Sequence, residues 1–239
     1  MQEQLRDQAL GIRTAGLREW HRLEKHYHRY EATPYEALDQ LFKRYRLKPD
    51  VQIVDFGAGR GRVSFYIHSR FNVPVRGIEV NETTLDEAYV NLDSYRYTFK
   101  KRWRDGHEKA PLRFEYGEAE STDVSENDNC FYFFNPFSLT IFKEVIKNIR
   151  RSKQSHPRAI DLVIYYPLPE IKQYLTQKTP FRIAKKIPAY DGHGKYGKFV
   201  IFRYLPEALE VPDVFHTKLD EKAGPKADQK ADPKTARSA

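Results

Sequence analysis

The stretch Val51-Gln-Ile-Val-Asp-Phe-Gly-Ala-Gly-Arg-Gly-Arg-Val63 decides how this chain folds. A short apolar run leads through an acidic residue to glycine at three alternate positions, Gly57, Gly59 and Gly61. Glycine has no Cβ and readily takes positive φ, so a ligand can lie directly against the peptide groups of such a turn. A helix that starts at the turn would also point unpaired N–H groups at the ligand. The stretch therefore predicts a strand that ends in a nucleotide-binding turn.

The spacing of the glycines narrows the choice of ligand. The dinucleotide fingerprint is G-x-G-x-x-G, whereas the pattern here is D-x-G-x-G-x-G. The segment also lacks the Gly-Lys-Ser/Thr ending of the phosphate-binding loop of nucleoside triphosphatases. An NAD-dependent oxidoreductase stays as an alternative that this spacing disfavours.

The segment resembles the first signature motif of the class I S-adenosylmethionine-dependent methyltransferases. The match covers Asp55, Gly57, Gly59 and Gly61, with Ala58 inside the turn. In that family the motif wraps the methionine end and the ribose of the cofactor. The resemblance therefore implies S-adenosylmethionine as the cofactor and these residues as part of its site.

An acidic residue about 20 positions further on, at the end of a second strand, could bind ribose hydroxyl groups. Glu79 stands there, and Val80 follows it. Asn81 is placed to cap the next helix. On its own Glu79 would be an ordinary strand-end carboxylate, but together with the glycine turn it indicates a cofactor contact, and Val80 belongs to the same predicted site.

Two further segments are similar to family motifs. Tyr30-Glu-Ala-Thr33-Pro resembles an aromatic-x-Thr-Pro segment that lines the methionine end of the cofactor in amino methyltransferases, although Thr33 would equally cap a helix. The run Phe-Glu-Tyr-Gly-Glu118-Ala119 resembles the segment that contacts adenine. The resemblance thus adds Tyr30, Thr33, Glu118 and Ala119 to the predicted cofactor site.

The segment Asn135-Pro136-Phe137-Ser138 follows the fourth predicted strand, on the side where ligands bind in open α/β sheets. It resembles the Asn/Asp-Pro-Pro-Tyr/Phe motif of methyltransferases that act on planar amino groups, but Phe137 replaces the second proline and Ser138 the aromatic residue. The resemblance implies that Asn135 and the Pro136 carbonyl accept hydrogen bonds from a nitrogen substrate. It also implies that Asn135 lies near the cofactor and that Phe137 is one of the catalytic residues. The alternative is a strand-ending turn with Phe137 in the core.

The chain alternates strands and helices, which predicts a mainly parallel sheet with helices on both faces. The glycine-rich connection over 191–197 predicts that the last two strands form an antiparallel hairpin. The fold class is therefore α/β, Rossmann-like, with seven strands, and the family resemblance implies the order 3-2-1-4-5-7-6. The predicted strands are 51–56, 75–79, 112–116, 130–134, 161–166, 181–190 and 198–204, and the predicted helices include 63–69, 84–99, 139–150 and 170–175.

The ends of the chain differ in composition from the middle. Residues 1–32 are polar and Arg-rich, with Leu17, Trp20, Leu23 and Tyr27 at helical spacing, which predicts a helical arm that packs on the domain and could cover the cofactor. Residues 33–206 form the predicted methyltransferase domain. Residues 207–239 form a C-terminal extension, and its charged, proline-containing sequence predicts disorder from about residue 217.

The composition supports predictions about where the protein is located in the cell and whether it holds a metal ion. With 239 residues, 31% of them charged, and a mean hydropathy of −0.75, the chain is expected to be one soluble domain with extensions. There is no apolar run of about 20 residues and no secretory signal pattern, so we expect a cytoplasmic protein without a membrane segment. Cys130 is the sole cysteine and is expected to be buried. No metal site is predicted, because His21, His26 and His28 lie in a segment rich in Arg and Lys.

The net charge of +8 favours acidic partners such as nucleic acid. Residues 96–104 interleave basic and aromatic side chains, as phosphate-binding and base-stacking surfaces do, but the same run suits the end of a helix. A nucleic-acid-binding protein with an inactive methyltransferase fold is therefore a second alternative. The sequence does not identify the methyl acceptor or the oligomeric state.

Overall fold

The computed structural model describes residues 2–16, 27, 30–102, 109–190 and 197–206, with the side chains of residues 99–102 left aside. Residues Met1–Pro206 form one compact unit. The helices are α1 (Gln2–Leu10), α2 (Tyr35–Arg44), α3 (Arg62–Phe71), α4 (Glu82–Arg102), α5 (Leu139–Ser155) and α6 (Pro169–Lys178). The strands are β1 (Ile53–Phe56), β2 (Val75–Glu79), β3 (Leu112–Tyr116), β4 (Cys130–Phe133), β5 (Ile160–Tyr165), β6 (Arg182–Pro188) and β7 (Lys198–Tyr204).

The seven strands form one sheet in the order β3-β2-β1-β4-β5-β7-β6. The first five strands along this order pair in parallel, and β7 lies antiparallel between β5 and β6. The predicted fold class, the strand order and the terminal antiparallel pair are therefore confirmed. Residues 191–196 of the predicted hairpin connection lie outside the described residues.

The core has two layers, one on each face of the sheet. In β4, Tyr132 packs with α2, α3 and α4, whereas Phe131 and Phe133 pack with α5 and α6 on the other face. Side chains alternate between faces along a strand, so a strand covered on both faces is apolar throughout, and every residue of β4 is buried. Helices on both faces leave the ends of the strands as the place for a ligand.

Of the two predicted helix caps, the one at α4 is present in the structure and the one at α2 is not. Asn81 caps α4 as predicted, because its side-chain oxygen accepts a hydrogen bond of 2.9 Å from the Thr84 N–H. Thr33 is not the cap of α2 that the sequence predicts: the cap position is Pro34, and the Tyr35 N–H at the start of the helix donates to the Glu3 carboxylate at 3.2 Å. The Thr33 hydroxyl instead bonds the Tyr132 hydroxyl at 2.8 Å. The two hydroxyl groups satisfy each other in a buried place.

The predicted helix of the N-terminal arm is shorter than expected. Helix α1 ends at Leu10, and Gly11 follows with a φ of 72°. Tyr27 is not helical, because it forms an isolated antiparallel bridge with Phe137. Leu17, Trp20 and Leu23 lie outside the described residues, as does the whole predicted C-terminal extension. Among the helices that the structure describes, none is long and apolar enough to cross a membrane.

Candidate functional site

A cleft lies where β1, β2 and β4 end. In open α/β sheets, ligands bind outside the carboxyl ends of the strands, so the position alone makes this cleft the candidate site. The residues that line it are Tyr27, Tyr30, Glu31, Ala32, Thr33, Asp55, Gly57, Ala58, Arg62, Val63, Ile78, Glu79, Val80, Gly117, Ala119, Tyr132, Phe134, Pro136 and Phe137. The cleft thus brings together parts of the chain that are far apart in the sequence.

The glycine turn between β1 and α3 lies at the floor of this cleft. Gly57 has a φ of 73° and Gly59 a φ of 56°, in the left-handed region that favours glycine. Space also requires glycine at both positions. A Cβ on Gly57 would lie 2.5 Å from the Pro136 Cβ, and a Cβ on Gly59 would lie closer than 3.0 Å to the Tyr30 ring. The turn is therefore packed against both Tyr30 and Pro136.

Glu79 joins the end of β2 to the glycine turn. Its buried carboxylate accepts three backbone hydrogen bonds, from Gly59 at 2.8 Å, Asn81 at 2.9 Å and Val80 at 3.0 Å. Burial raises the pKa of this carboxyl group, and the three N–H groups counteract that effect. A carboxylate offers about four acceptor positions, so one stays available to a ligand hydroxyl group.

Asp55 is the penultimate residue of β1 and is almost fully buried, with 3% of its surface exposed. The Ser64 hydroxyl donates to its carboxylate at 2.8 Å. Burial raises the pKa of Asp55 to about 7, since the Ser64 hydrogen bond only partly offsets the loss of hydration and the charge of Glu79 adds to the rise. Near neutral pH this carboxyl group is poised to ionise when a positive charge comes close.

The segment over residues 30–33 crosses the glycine turn and is fixed at both ends. The Tyr30 hydroxyl donates to the Thr14 carbonyl at 2.8 Å, and the Arg60 guanidinium lies 5.1 Å from the centre of the Tyr30 ring. At the other end, Thr33 bonds Tyr132, which pairs with Asp55 across β4 and β1. Both predicted residues of this segment, Tyr30 and Thr33, line the cleft.

Residues 135–137 leave β4 in a sharp turn. Asn135 has a positive φ of 42°, and its side-chain oxygen is buried. Pro136 lies against Gly57 and lines the cleft. Phe137 also lines the cleft, but its side chain is 1% exposed and packs edge-on to Tyr27 and Phe133. Phe137 therefore belongs to the core, as the alternative interpretation of a strand-ending turn predicted. Asn135 itself is not among the described residues that line the cleft.

The segment after β3 lines the cleft with the residues on either side of Glu118 but not with Glu118 itself. Gly117, Ala119 and Val80 line the cleft, whereas the exposed Glu118 side chain lies beside the Ser121 hydroxyl at 3.4 Å. Among the described residues of the lining, Glu118 is absent. The structure therefore places Val80 and Ala119 in the site and Glu118 beside it.

An ionic network under the turn escaped sequence reasoning. Arg62, the first residue of α3, is buried and lies between Glu3, with which it forms an ion pair, and Asp7, whose oxygen is 3.8 Å away. Its Nε donates to the Thr14 hydroxyl at 2.6 Å. Asp7 in turn accepts the Tyr35 hydroxyl at 2.7 Å. This network connects α1 to the start of α3. Glu3, Asp7 and Thr14 lie more than 45 residues from Arg62 in the sequence, so no local sequence pattern predicts these contacts.

No group of His, Cys, Asp and Glu residues is arranged to hold a metal ion within the part of the chain that the structure describes. His21, His26 and His28 lie outside that part. Cys130 is buried, as expected, and burial raises the pKa of its thiol to about 12.

The strand order, the antiparallel β7 between β5 and β6, and the glycine turn flanked by strand-end carboxylates occur together. The chain therefore has a Rossmann-like α/β fold with the strand order that its resemblance to the class I methyltransferases implied. No protein-family model matches its sequence, and no curated protein does either.

Several solved methyltransferase structures are similar to this chain in fold. An RNA methyltransferase from Salinibacter ruber, in complex with S-adenosyl-L-homocysteine, is 15% identical, with 77% of this chain and 97% of that chain covered and a TM-score of 0.48. A methyltransferase from Methanosarcina mazei is 16% identical, with 67% and 95% covered and a TM-score of 0.46. One from Aquifex aeolicus is 15% identical, with 69% and 88% covered and a TM-score of 0.46. Likeness at this level concerns the fold and identifies no substrate.

Proposed function

We propose that the protein is an S-adenosylmethionine-dependent methyltransferase whose cofactor occupies the cleft at the ends of β1, β2 and β4. The observation that carries the proposal is the glycine turn held between two buried carboxyl groups, Asp55 and Glu79. S-adenosylmethionine has a positively charged sulfonium, an ammonium group and a ribose with two neighbouring hydroxyl groups. Such a ligand matches a cleft in which two buried acids lie beside the exposed Gly57.

Each part of the cofactor has a counterpart in the cleft. The remaining acceptor position of Glu79 suits a ribose hydroxyl group, and Asp55 suits the positive methionine end. Tyr30 and Thr33, fixed above the turn, would enclose that end. The backbone at Gly117 and Ala119 would receive the adenine ring. The bound cofactor supplies an activated methyl group, and the protein supplies its position and shields it from water.

The acceptor is proposed to enter beside Pro136. A nitrogen nucleophile must aim its lone pair at the methyl group, so the neighbouring groups have to accept hydrogen bonds from its N–H. The Pro136 carbonyl and the Asn135 side chain would supply these acceptors, and the position of Pro136 against Gly57 supports this role. Phe137 acts as a positioning residue in this proposal, since its ring anchors the turn in the core.

Calorimetric titration with S-adenosylmethionine tests the proposal, with NADH as the control ligand. We expect micromolar affinity for S-adenosylmethionine and no response to NADH. The variant Glu79→Gln should weaken binding at least tenfold, a loss of about 1.4 kcal/mol. Its matched control, Glu118→Gln, alters an exposed acid beside the cleft and should leave affinity unchanged. The unfolding midpoint of each variant shows whether it folds.

The possible failures separate the alternatives. Binding of NADH in place of S-adenosylmethionine would overturn the proposal in favour of an oxidoreductase. Binding of neither ligand would overturn it in favour of a protein that keeps the fold without the activity.

A further inference from the structure

We propose that the open edge of the sheet beside β6 is a nucleic-acid-binding surface that delivers its ligand to the mouth of the cleft. We call it the basic edge, and it consists of six exposed side chains on α2, the loop after it, α6 and β6: Lys43, Arg44, Arg46, Lys178, Lys185 and Lys186. Only the delivery to the cleft rests on the proposed function. The binding itself does not.

The two segments that build the basic edge carry positive charge alone. Between Asp39 and Asp50 the chain has four basic residues and no acidic one. Residues 171–190 contain five basic residues and again no acidic one. The 33 residues from Glu207 onward hold six basic and seven acidic side chains, so the whole positive excess of the chain lies before them. The basic edge is a main concentration of that excess.

The fold brings these two segments together. Strand β6 is the last strand of the sheet, and the Lys185 ammonium donates to the Arg44 carbonyl at the end of α2. The carboxylate of Asp161 in β5, two strands away from β6, is 1% exposed and is held by Arg203 at 2.7 Å and by the Tyr45 hydroxyl at 2.7 Å. That acid is therefore already neutralised and does not offset the charge of the surface.

A simpler role for lysine on an edge strand is to prevent pairing with another sheet. That role accounts for Lys185 and Lys186 but needs no charge on the neighbouring helices. Lys43 on α2 and Lys178 at the end of α6 extend the positive surface beyond the strand. A surface that wide fits a line of phosphates, because phosphate contacts are made by several cations at once.

The direction of β6 leads to the cleft. Pro188 at the end of β6 pairs with Lys198, whose carbonyl accepts a hydrogen bond of 3.0 Å from the Tyr166 N–H at the end of β5. Tyr165, next to Tyr166, packs on the cleft residue Phe134 with ring centres 4.6 Å apart. A seven-residue strand spans about 20 Å, which is enough for several nucleotides.

The aromatic side chain of Tyr166, which directly follows β5, suits a base rather than a lipid. Tyr166 is 40% exposed there, and a base can stack on such a ring. A membrane surface would call for exposed large apolar side chains among the cations, but the exposed positions of β6 hold only Arg, Ala, Lys and Pro. Nucleic acid is therefore the partner that this surface favours.

The test measures binding of a fluorescent single-stranded RNA of 20 nucleotides and of a DNA duplex to the full chain over a range of KCl concentrations. The edge variant combines Lys43→Gln, Lys178→Gln and Lys186→Gln. We expect at least tenfold weaker binding at low salt. For the duplex, the slope of log affinity against log salt should become shallower by about 2 to 3, since each lost phosphate contact removes about 0.9.

The control variant removes three charges at the opposite edge of the sheet through Arg96→Gln, Lys109→Gln and Arg113→Gln. It should bind like the original protein, and it also tests the basic run over 96–104 that the sequence suggested. Equal weakening by both variants, weakening by the control alone, or no binding by the original protein would overturn the proposal. So would an edge-dependent attachment to anionic vesicles without binding to RNA or DNA.

The edge variant should still bind S-adenosylmethionine with unchanged affinity. This readout separates the two proposals, because loss of the basic edge leaves the cofactor cleft intact. A protein that binds RNA through the basic edge but never binds S-adenosylmethionine would retain this inference and refute the proposed function.

Discussion

The contact between Tyr30 and the glycine turn gives the sharpest structural prediction, and Gly59→Ala is the perturbation that tests it. The new Cβ would lie closer than 3.0 Å to the Tyr30 ring, at a residue whose φ is 56°. The ring cannot yield freely, because its hydroxyl is bound to the Thr14 carbonyl at 2.8 Å and Arg60 lies over its face. The substitution therefore forces a displacement as well as an unfavourable backbone conformation.

The two effects can be estimated separately. A residue with a Cβ in the left-handed region costs about 1–2 kcal/mol. Overpacking against the Tyr30 ring adds about 1–3 kcal/mol. In a Tyr30→Ala background the second cost disappears, while the first stays. The effect of Gly59→Ala on the unfolded chain is the same in both backgrounds and cancels. The coupling between the two positions should therefore be about 1–3 kcal/mol.

Urea unfolding of the four proteins, followed by circular dichroism, measures this coupling. A matched control is Gly16→Ala, since Gly16 also has a positive φ, of 104°, but a Cβ there would meet nothing within 4 Å. Its coupling to Tyr30→Ala should be near zero. A coupling below about 0.5 kcal/mol between positions 59 and 30 would refute the contact, because independent sites add within that margin.

Four further predictions follow from buried polar groups. Asp55, with its pKa raised from 3.8 to about 7, keeps a proton that the unfolded chain releases. Its contribution to the free energy of unfolding therefore falls by up to about 4 kcal/mol as the pH rises from 4 to 7. Asp55→Asn should flatten that part of the plot of stability against pH, and an unchanged plot would contradict the pKa shift. Near pH 7 about half of the Asp55 carboxyl groups carry a proton, so binding of S-adenosylmethionine should release up to about half a proton per site in calorimetry across buffers of different ionisation enthalpy. Asp55→Asn should abolish the release. Thr33→Val should lower the free energy of unfolding by about 1–3 kcal/mol because it leaves the Tyr132 hydroxyl without its hydrogen-bond partner. Adding Tyr132→Phe should recover part of this loss. No recovery in urea unfolding would argue against the hydrogen bond. Cys130, buried with a pKa of about 12, should react with a thiol reagent only on unfolding, and rapid native labelling at pH 8 would disagree.

The elements of the fold were predictable because their signals are local. Alternating apolar runs and helical spacing reveal strands and helices, and Asn81 caps α4 through a contact three residues away. The glycine turn and Glu79 were predictable as a pair because their separation along the chain is set by one helix and the strand that follows it. The structure joins them directly through the hydrogen bond from Gly59 to Glu79.

The failures lie where a distant partner outweighs a local pattern. Thr33 has the sequence signature of a helix cap, but Tyr132, 99 positions away, offers its hydroxyl a buried partner. The arm helix stops at Leu10, and Asp7 accepts hydrogen bonds from the chain just beyond that end. The buried Arg62 network and the basic edge likewise depend on segments that only the folded chain brings together.

The most direct test of the central claim is the structure of the protein in complex with S-adenosylhomocysteine. We expect the ribose to lie within hydrogen-bonding distance of the Glu79 carboxylate and the adenine ring to lie beside the backbone of Ala119. We also expect the methionine end to be enclosed by Tyr30 near Asp55. A ligand bound outside this cleft, or no binding at millimolar concentration, would contradict the account.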